Sequence, residues 1–328
     1  MSRFIISLSC AFVILVAALY LTGSTAGDRA LVNAAQALAA RAQSTADAVD
    51  RILQQRMIEV FTFAALPSMR GTAASDPIDR PVRLPVARAE LASIAAADPN
   101  VRVAMMMDTA GVVIMATDAS VNQNWGDRIF VRQALRGQLY ASVPVREFGE
   151  ISQYYSAPLL NNSGDVAGAL VLRIAAQEMW SAFDNQSDIF LVDENNVRIA
   201  DRSATPQIFV ALEPLAPAAA IAALGDKVYG TETTQIRSTQ LSDLAAAVRK
   251  KTASVVYRGA QGQAIHAAMA RLKTNAWTTI AFASEDSILA PVRDNNWTQF
   301  WIALVTAVTV AIAVYLGVTT IYSNEKAK

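Results

Sequence analysis

Twice in this chain a β-prone run passes through a short Asp-led turn into a second β-prone run, and no other feature limits the possible fold as much. Val101–Met107 and Val112–Ala116 flank Asp108-Thr-Ala-Gly111, and Ile189–Val192 and Val197–Ala200 flank Asp193-Glu-Asn-Asn196. Gly111 supplies the positive φ that such a hairpin turn requires, and Asn196 is the next-best residue for it. Asp193 answers Asp108, and Ile199 answers Ile114. The closing hairpins repeat as well. Ser152–Leu160 and Val166–Ile174 are joined by Asn161-Asn-Ser-Gly-Asp165, while Ala264–Lys273 and Trp277–Ala283 are joined at Thr274-Asn275. An internal duplication of a small antiparallel sheet accounts for both. Inside the first unit, Asp127 is expected to cap a helix carrying Phe130, Val131, Ala134 and Leu135 on one side, with Gly137 ending it. A helix laid across one sheet face is a place to hold a small molecule.

The flanks set the topology. Phe4–Leu21 follows Arg3 as an almost unbroken apolar run, and Phe300–Ile321 is a second one without a charge, edged by Trp297, Trp301 and Tyr322 and followed by Lys326 and Lys328. Both have the length of a membrane helix, giving spans at 1–22 and 297–322 and a tail at 323–328. A signal peptide cut near Ser24-Thr-Ala26 is the rival for the first, and a lipoprotein at Cys10 fits less well. The basic ends place both termini in the cytoplasm and the region between outside. Asp28–Leu66 lacks Pro and Gly and predicts one long stalk helix (23–66), with an apolar stripe through Leu31, Ala35, Leu38, Ala42, Thr45, Val49 and Ile52 that drifts to Leu53, Met57, Val60 and Ala64. That stripe suits packing on its own domain or a dimer stalk equally. Residues 67–185 form the expected membrane-distal unit and 186–296 the membrane-proximal one, with Thr205–Lys251 as an insertion of helices and loops covering the second sheet.

Composition narrows the chemistry. The 328 residues carry no formal net charge, and Arg249-Lys-Lys251 is the longest basic run, which argues against a nucleic-acid partner. One Cys and one His, His266, leave no disulfide, thiolate metal site or catalytic triad to build. No nucleophile–base pair, metal cluster or phosphate loop is visible, so no enzyme, cofactor or metal is expected.

In order and spacing, Asp108-Thr-Ala-Gly-Val-Val-Ile, Gly126-Asp-Arg-Ile-Phe, Ala134-Leu-Arg-Gly137, Ser156-Ala-Pro158, Gly164-Asp-Val-Ala-Gly-Ala-Leu-Val-Leu-Arg-Ile174 and Asn275-Ala-Trp277 resemble the double Cache (dCache) sensor domains of bacterial chemoreceptors, histidine kinases and cyclases. The likeness runs from about Asp28 to Arg293. It implies an α+β fold of two tandem PAS-like (Cache) antiparallel sheets with helices, a long N-terminal stalk helix and one transmembrane helix at each end. It also implies a small-molecule ligand in the distal unit, relayed through the stalk and second membrane helix. With only Ser323–Lys328 after the second span, either the chain is truncated before a transmitter or its partner is a homodimer mate or a separate membrane signalling protein. Amino-acid-binding members share a pattern that Arg128 matches. Phe130, Val131, Gln133 and Arg173 stand where that pattern has Trp, Tyr, Asp and Asp, which turns the reading away from amino acids.

Charge then suggests an organic anion. Arg173 has the strand parity of the small residues Ala167, Ala169 and Val171, so Arg128 and Arg173 can meet one cavity and ask for a carboxylate. Otherwise Arg173 faces solvent or pairs with a surface carboxylate. Tyr154 and Tyr155 point to opposite faces, and either can line the pocket. Trp125 is a lid or core, and Arg146 a pocket group or a solvated edge residue. With Phe130 these form the expected ligand-binding set. A competing reading makes the chain an accessory membrane subunit that uses a ligand-free Cache fold as an interaction surface, and that reading expects a filled first unit.

Overall fold

The computed structural model describes residues 2–75, 78–183 and 187–326, with side chains from Thr25 to Ile312 except 296, 303 and 311. Three helices open the chain: α1 (Ser2–Ala64), α2 (Pro67–Ala73) and α3 (Arg80–Ala97). The first sheet and its helix follow as β1 (Val101–Met107), β2 (Val113–Ala116), α4 (Ile129–Leu135), β3 (Tyr140–Ala141), β4 (Val145–Glu147), β5 (Glu150–Leu160) and β6 (Val166–Ala175). A short α5 (Ala176–Trp180) leads to β7 (Ile189–Val192) and β8 (Arg198–Asp201), then to an insertion with β9 (Val210–Ala211), α6 (Pro217–Gly225), β10 (Arg237–Ser238) and α7 (Ser242–Arg249). The chain closes with β11 (Ser254–Arg258), β12 (Ala264–Arg271), β13 (Thr278–Ser284) and α8 (Glu285–Lys326). It divides into two compact units, a larger one of Ala39–Tyr257 with Ala268–Phe282, and a smaller one that takes the N-terminal part of α1, the β11–β12 turn and α8.

The duplication read from the turns extends to strand order. The first sheet runs β2-β1-β6-β5-β3, with β4 also on β5, and the second runs β8-β7-β13-β12-β11. In each, the opening hairpin lies beside the last strand of its own unit. The two turns match atom for atom. Asp108 Oδ1 accepts from the N–H groups of Ala110 and Val112, both at 2.9 Å, and Asp193 Oδ1 accepts from those of Asn195 and Val197 at the same distance. Gly111 has φ +79° and Asn196 +59°. Gly111 carries a second constraint that the later turn lacks, because a Cβ there would sit 2.5 Å from Gly126 Cα.

Helix α1 buries Leu38 and, within the larger unit, Ala42, Thr45, Ala46, Val49, Leu53, Val60 and Ala64. The expected stripe is therefore present, apart from Ala35, which is exposed, and Leu31, Ile52 and Met57, which are half-buried. Helix α1 stops two residues short of Pro67, whose ring is tolerated as the first residue of α2. Among the described residues no helix is long and apolar enough to cross a membrane. The span expected at 1–22 falls on residues whose side chains lie outside the description, as does 297–322 from 313 onward.

Two local expectations are corrected. Asp127 does not cap α4: Arg128 is the extended residue before the helix (φ −78°, ψ 135°), so α4 starts one residue late and the Asp127 carboxylate, one position too early to reach the free N–H groups, pairs with Lys227 at 2.9 Å. The insertion does not only cover the second sheet, since its residues 227–232 lie on the first one.

Buried Arg56 on α1 fixes three elements at once. Its guanidinium meets Glu59 on the same helix, Asp98 just after α3, and Glu178 on α5, the last at 2.9 Å to both carboxylate oxygens. Burial works against the cation, yet Glu178, Asp98 and Glu59 outweigh it and raise its pKa. Arg56→Met strands three carboxylates at this junction and is expected to cost about 3 kcal/mol, read as a lower urea midpoint at unchanged m-value.

Candidate functional site

Helix α4 packs on β5 and β6. The register Tyr154↔Arg173, Ser156↔Val171 and Pro158↔Ala169 puts Tyr154, Arg173, Val171 and Ala169 on the face below it. Small Ala169 and Val171 let the helix approach closely, and the Ser156 hydroxyl donates to the Phe130 carbonyl oxygen at 2.7 Å. Three aromatic rings then fill the space at the helix start. Phe130 stacks on Tyr154 with centroids 4.2 Å apart, and Trp125 meets both edge-on at 6.1 and 5.9 Å. The Arg128 guanidinium lies against this cage, 5.5 Å from the Trp125 centroid and 5.8 Å from that of Phe130.

Arg128 is 7 % exposed, and its counter-ion is Glu147 at the end of β4, 3 % exposed. The Glu147 carboxylate accepts from Arg128 Nη2, from the Tyr154 hydroxyl at 2.9 Å and from the Thr231 N–H at 3.1 Å. Burial and then the Glu147 charge push the Tyr154 hydroxyl pKa up, so it stays a donor. Arg128 Nη1 is buried with no hydrogen-bond partner. The space left beside these groups, lined by Arg128, Phe130, Ser142, Val145, Lys227 and Val228 among others, is about 10 Å³, room for about one water.

Arg173 lies on the same face, 3.1 Å from Glu150 and 4.8 Å from the Phe148 ring centroid. Each arginine thus has its own internal carboxylate, and both carboxylates belong to the turn that joins β4 to β5. Tyr155 faces the other side of the sheet, its hydroxyl on Gln153 at 2.8 Å and its charged neighbours Glu178 and Arg56. Arg146 points out beside Phe209, 5.6 Å from its ring centroid, and takes no part in the cage. Trp125 is a wall of the cage, its indole N–H on Gln123 at 3.0 Å.

Sequence reasoning missed Glu147 and the segment that covers it. Parity offered a signal: in Val145-Arg-Glu147 the glutamate shares the face of a buried valine. The covering segment left none, because it comes from the insertion some eighty residues later in the chain. Lys227 pairs with Asp127, Arg146 N–H donates to Tyr229 O at 2.9 Å, Glu232 N–H to Arg146 O at 3.2 Å, and Gly149 N–H to Glu232 Oε1 at 2.8 Å. Buried Tyr229 donates its hydroxyl to Asp193, the carboxylate that builds the β7–β8 turn. A separate cleft of about 440 Å³ lies over the second sheet, lined by Gln177, Trp180, Phe183, Asp201, Pro206 and Ile208 among others.

Paired sheets of this order behind one long N-terminal helix are the double-Cache fold of bacterial sensor domains. The sensor domain of the Vibrio cholerae histidine kinase DctB matches with a TM-score of 0.64 at 14 % identity, over 78 % of this chain and 98 % of that one. The sensory domain of the Campylobacter jejuni chemoreceptor Tlp3 with isoleucine bound matches at 0.53 and 13 % identity, over 80 % and 97 %. No protein-family model matches the sequence, and no curated protein matches it.

Burial pushes the Asp193 carboxyl up to about 6, against the hydrogen bonds from Tyr229, Val197 and Asn195. The folded state therefore holds this proton more tightly than the unfolded chain, whose Asp titrates near about 4, so its contribution to stability is present below that pH and lost as pH rises toward 6. In Asp193→Asn, which keeps the acceptor for both turn N–H groups, the fall in Tm between those two pH values is expected to be shallower than in the native chain.

Proposed function

We propose that the chain is an extracytoplasmic small-molecule sensing module of a bacterial inner membrane. Helices at 1–22 and 297–322 anchor it, with both termini cytoplasmic, the first sheet distal (67–185) and the second proximal (186–296). The ligand is an organic anion bound at Arg128 in the distal unit, and its binding is relayed through the stalk and the second membrane helix to a homodimer mate or a separate membrane partner. The observation that carries this reading is Arg128 itself: a buried guanidinium in an aromatic cage with one nitrogen unpartnered is prepared for a carboxylate. The isoleucine held by the Tlp3 domain supports a small-ligand role for this fold.

A second reading, an accessory subunit that uses the fold as a surface, is favoured by one fact: the cage is filled, with room for about one water. Thermal unfolding of the full chain in detergent against a panel of small organic acids and primary amines separates the two. Sensing of an anion expects at least one acid to raise Tm by several degrees, an effect lost in Arg128→Ala and kept in Trp180→Ala, which alters the second-sheet cleft. Amines acting where acids do not would refute the anion, and a silent panel leaves the accessory role standing.

A further inference from the structure

The carboxylates beside Arg128 and Arg173, and the ring that lies on Arg173, come from a single turn. Glu147 holds Arg128, Phe148 lies on Arg173, and Glu150 pairs with Arg173, with Gly149 between them. The turn also carries backbone strain. Phe148 has φ +56°, a region that a bulky side chain rarely adopts, and its ring is 63 % exposed, so burial of the ring does not explain the conformation. Phe148 and Gly149, both at positive φ, are the central pair of the two-residue hairpin closed by Glu147↔Glu150, and the segment 227–232 braces that turn through four backbone and side-chain hydrogen bonds to Arg146, Gly149 and Glu147. That segment fits only because Gly230 has no side chain: its φ is +93°, and a Cβ would lie 2.3 Å from the Arg146 carbonyl oxygen.

We infer that Glu147 is an internal occupant of the anion site and the residue that sets its specificity, and that 227–232 is the latch that keeps it there. The inference rests on the anion reading above. Exchange of one carboxylate for another at Arg128 keeps the buried cation paired, so the displacement carries no uncompensated charge. A neutral or cationic ligand that displaced Glu147 would leave Arg128 alone in the cage, and is rejected for that reason. Once Glu147 leaves, the Thr231 N–H loses its acceptor and the strained turn is free to relax. The latch also holds Tyr229 on Asp193, so its release reaches the β7–β8 turn, and β7 is paired with β13, whose chain continues into α8. Ligand exchange at the first sheet is thereby coupled to the second, alongside the route through the stalk.

The test uses the full chain in detergent with sodium acetate as the probe and sodium chloride at equal ionic strength as the control. Glu147→Gln leaves Arg128 without its internal anion, so its Tm falls, and acetate restores it in a concentration-dependent way while leaving the native Tm unchanged. Amide exchange at Arg146, Thr231 and Glu232 is expected to be about tenfold faster in the variant and to slow again with acetate. Equal responses of both proteins to acetate, or no response of the variant, overturn the inference. Should Glu147→Gln fail to fold, Gly230→Ala lifts the latch with Arg128 and Glu147 intact. The expected result is then faster exchange at Arg146 and Glu232 and the appearance of a Tm response to acetate, and the absence of both overturns it. A silent acid panel on the native chain with acetate rescue of Glu147→Gln would refute sensing while leaving Glu147 as the internal occupant.

Discussion

One buried carboxylate is shared by three parts of the chain that lie far apart in sequence or on different elements. Glu147 takes its hydrogen bonds from the residue before α4, from the middle of β5 and from the backbone of the insertion, so helix, sheet and latch meet at a single buried charge. A carboxylate this deep in an apolar cage costs several kcal/mol unless it is paired and hydrogen-bonded, and here it is both. The dependence runs both ways, because the Arg128 cation is tolerated among three aromatic rings only while some anion stays beside it. This mutual requirement explains why the interior is filled and charged at once.

The framework was readable because it rests on local rules. An Asp that accepts two turn N–H groups, followed by Gly or Asn at positive φ, writes a hairpin into four residues, and the chain does so at Asp108 and at Asp193. Alternation along β6 correctly grouped Ala169, Val171 and Arg173, since register parity follows from strand geometry alone. Helix starts were less legible. The Asp127 cap failed over a single residue, a difference decided by the backbone of Arg128 and by Lys227, which lies far along the sequence.

The site was half legible for the same reason. Arg128, Phe130, Tyr154 and Arg173 converge as composition and parity suggested, and the choice between Tyr154 and Tyr155 was settled only by which sheet face α4 covers. Two arginines on one sheet face ask for negative charge, and the chain places Glu147 beside one and Glu150 beside the other. Glu147 and Glu150 flank an ordinary-looking turn, and beyond the parity of Glu147 with Val145 nothing local announces the arginines they meet or the cover over Glu147. That cover comes from the distant segment 227–232, which sequence patterns with a period of two or 3.6 residues cannot encode.

Two routes leave the first sheet, and they differ in how much each can yield. On the face away from the cage, Arg56 binds α1 to Asp98 and Glu178 through ionic hydrogen bonds, a junction whose disruption costs more than a ligand exchange supplies. On the cage face, the latch is held by a few hydrogen bonds, each worth about 1 kcal/mol net, plus a strained turn that opposes it. A coupling of about 1–3 kcal/mol, the ordinary scale for communication between two sites, is enough to move the latch, whereas the Arg56 junction keeps α1 joined to the first sheet as one body, which is what the proposed relay into the stalk requires.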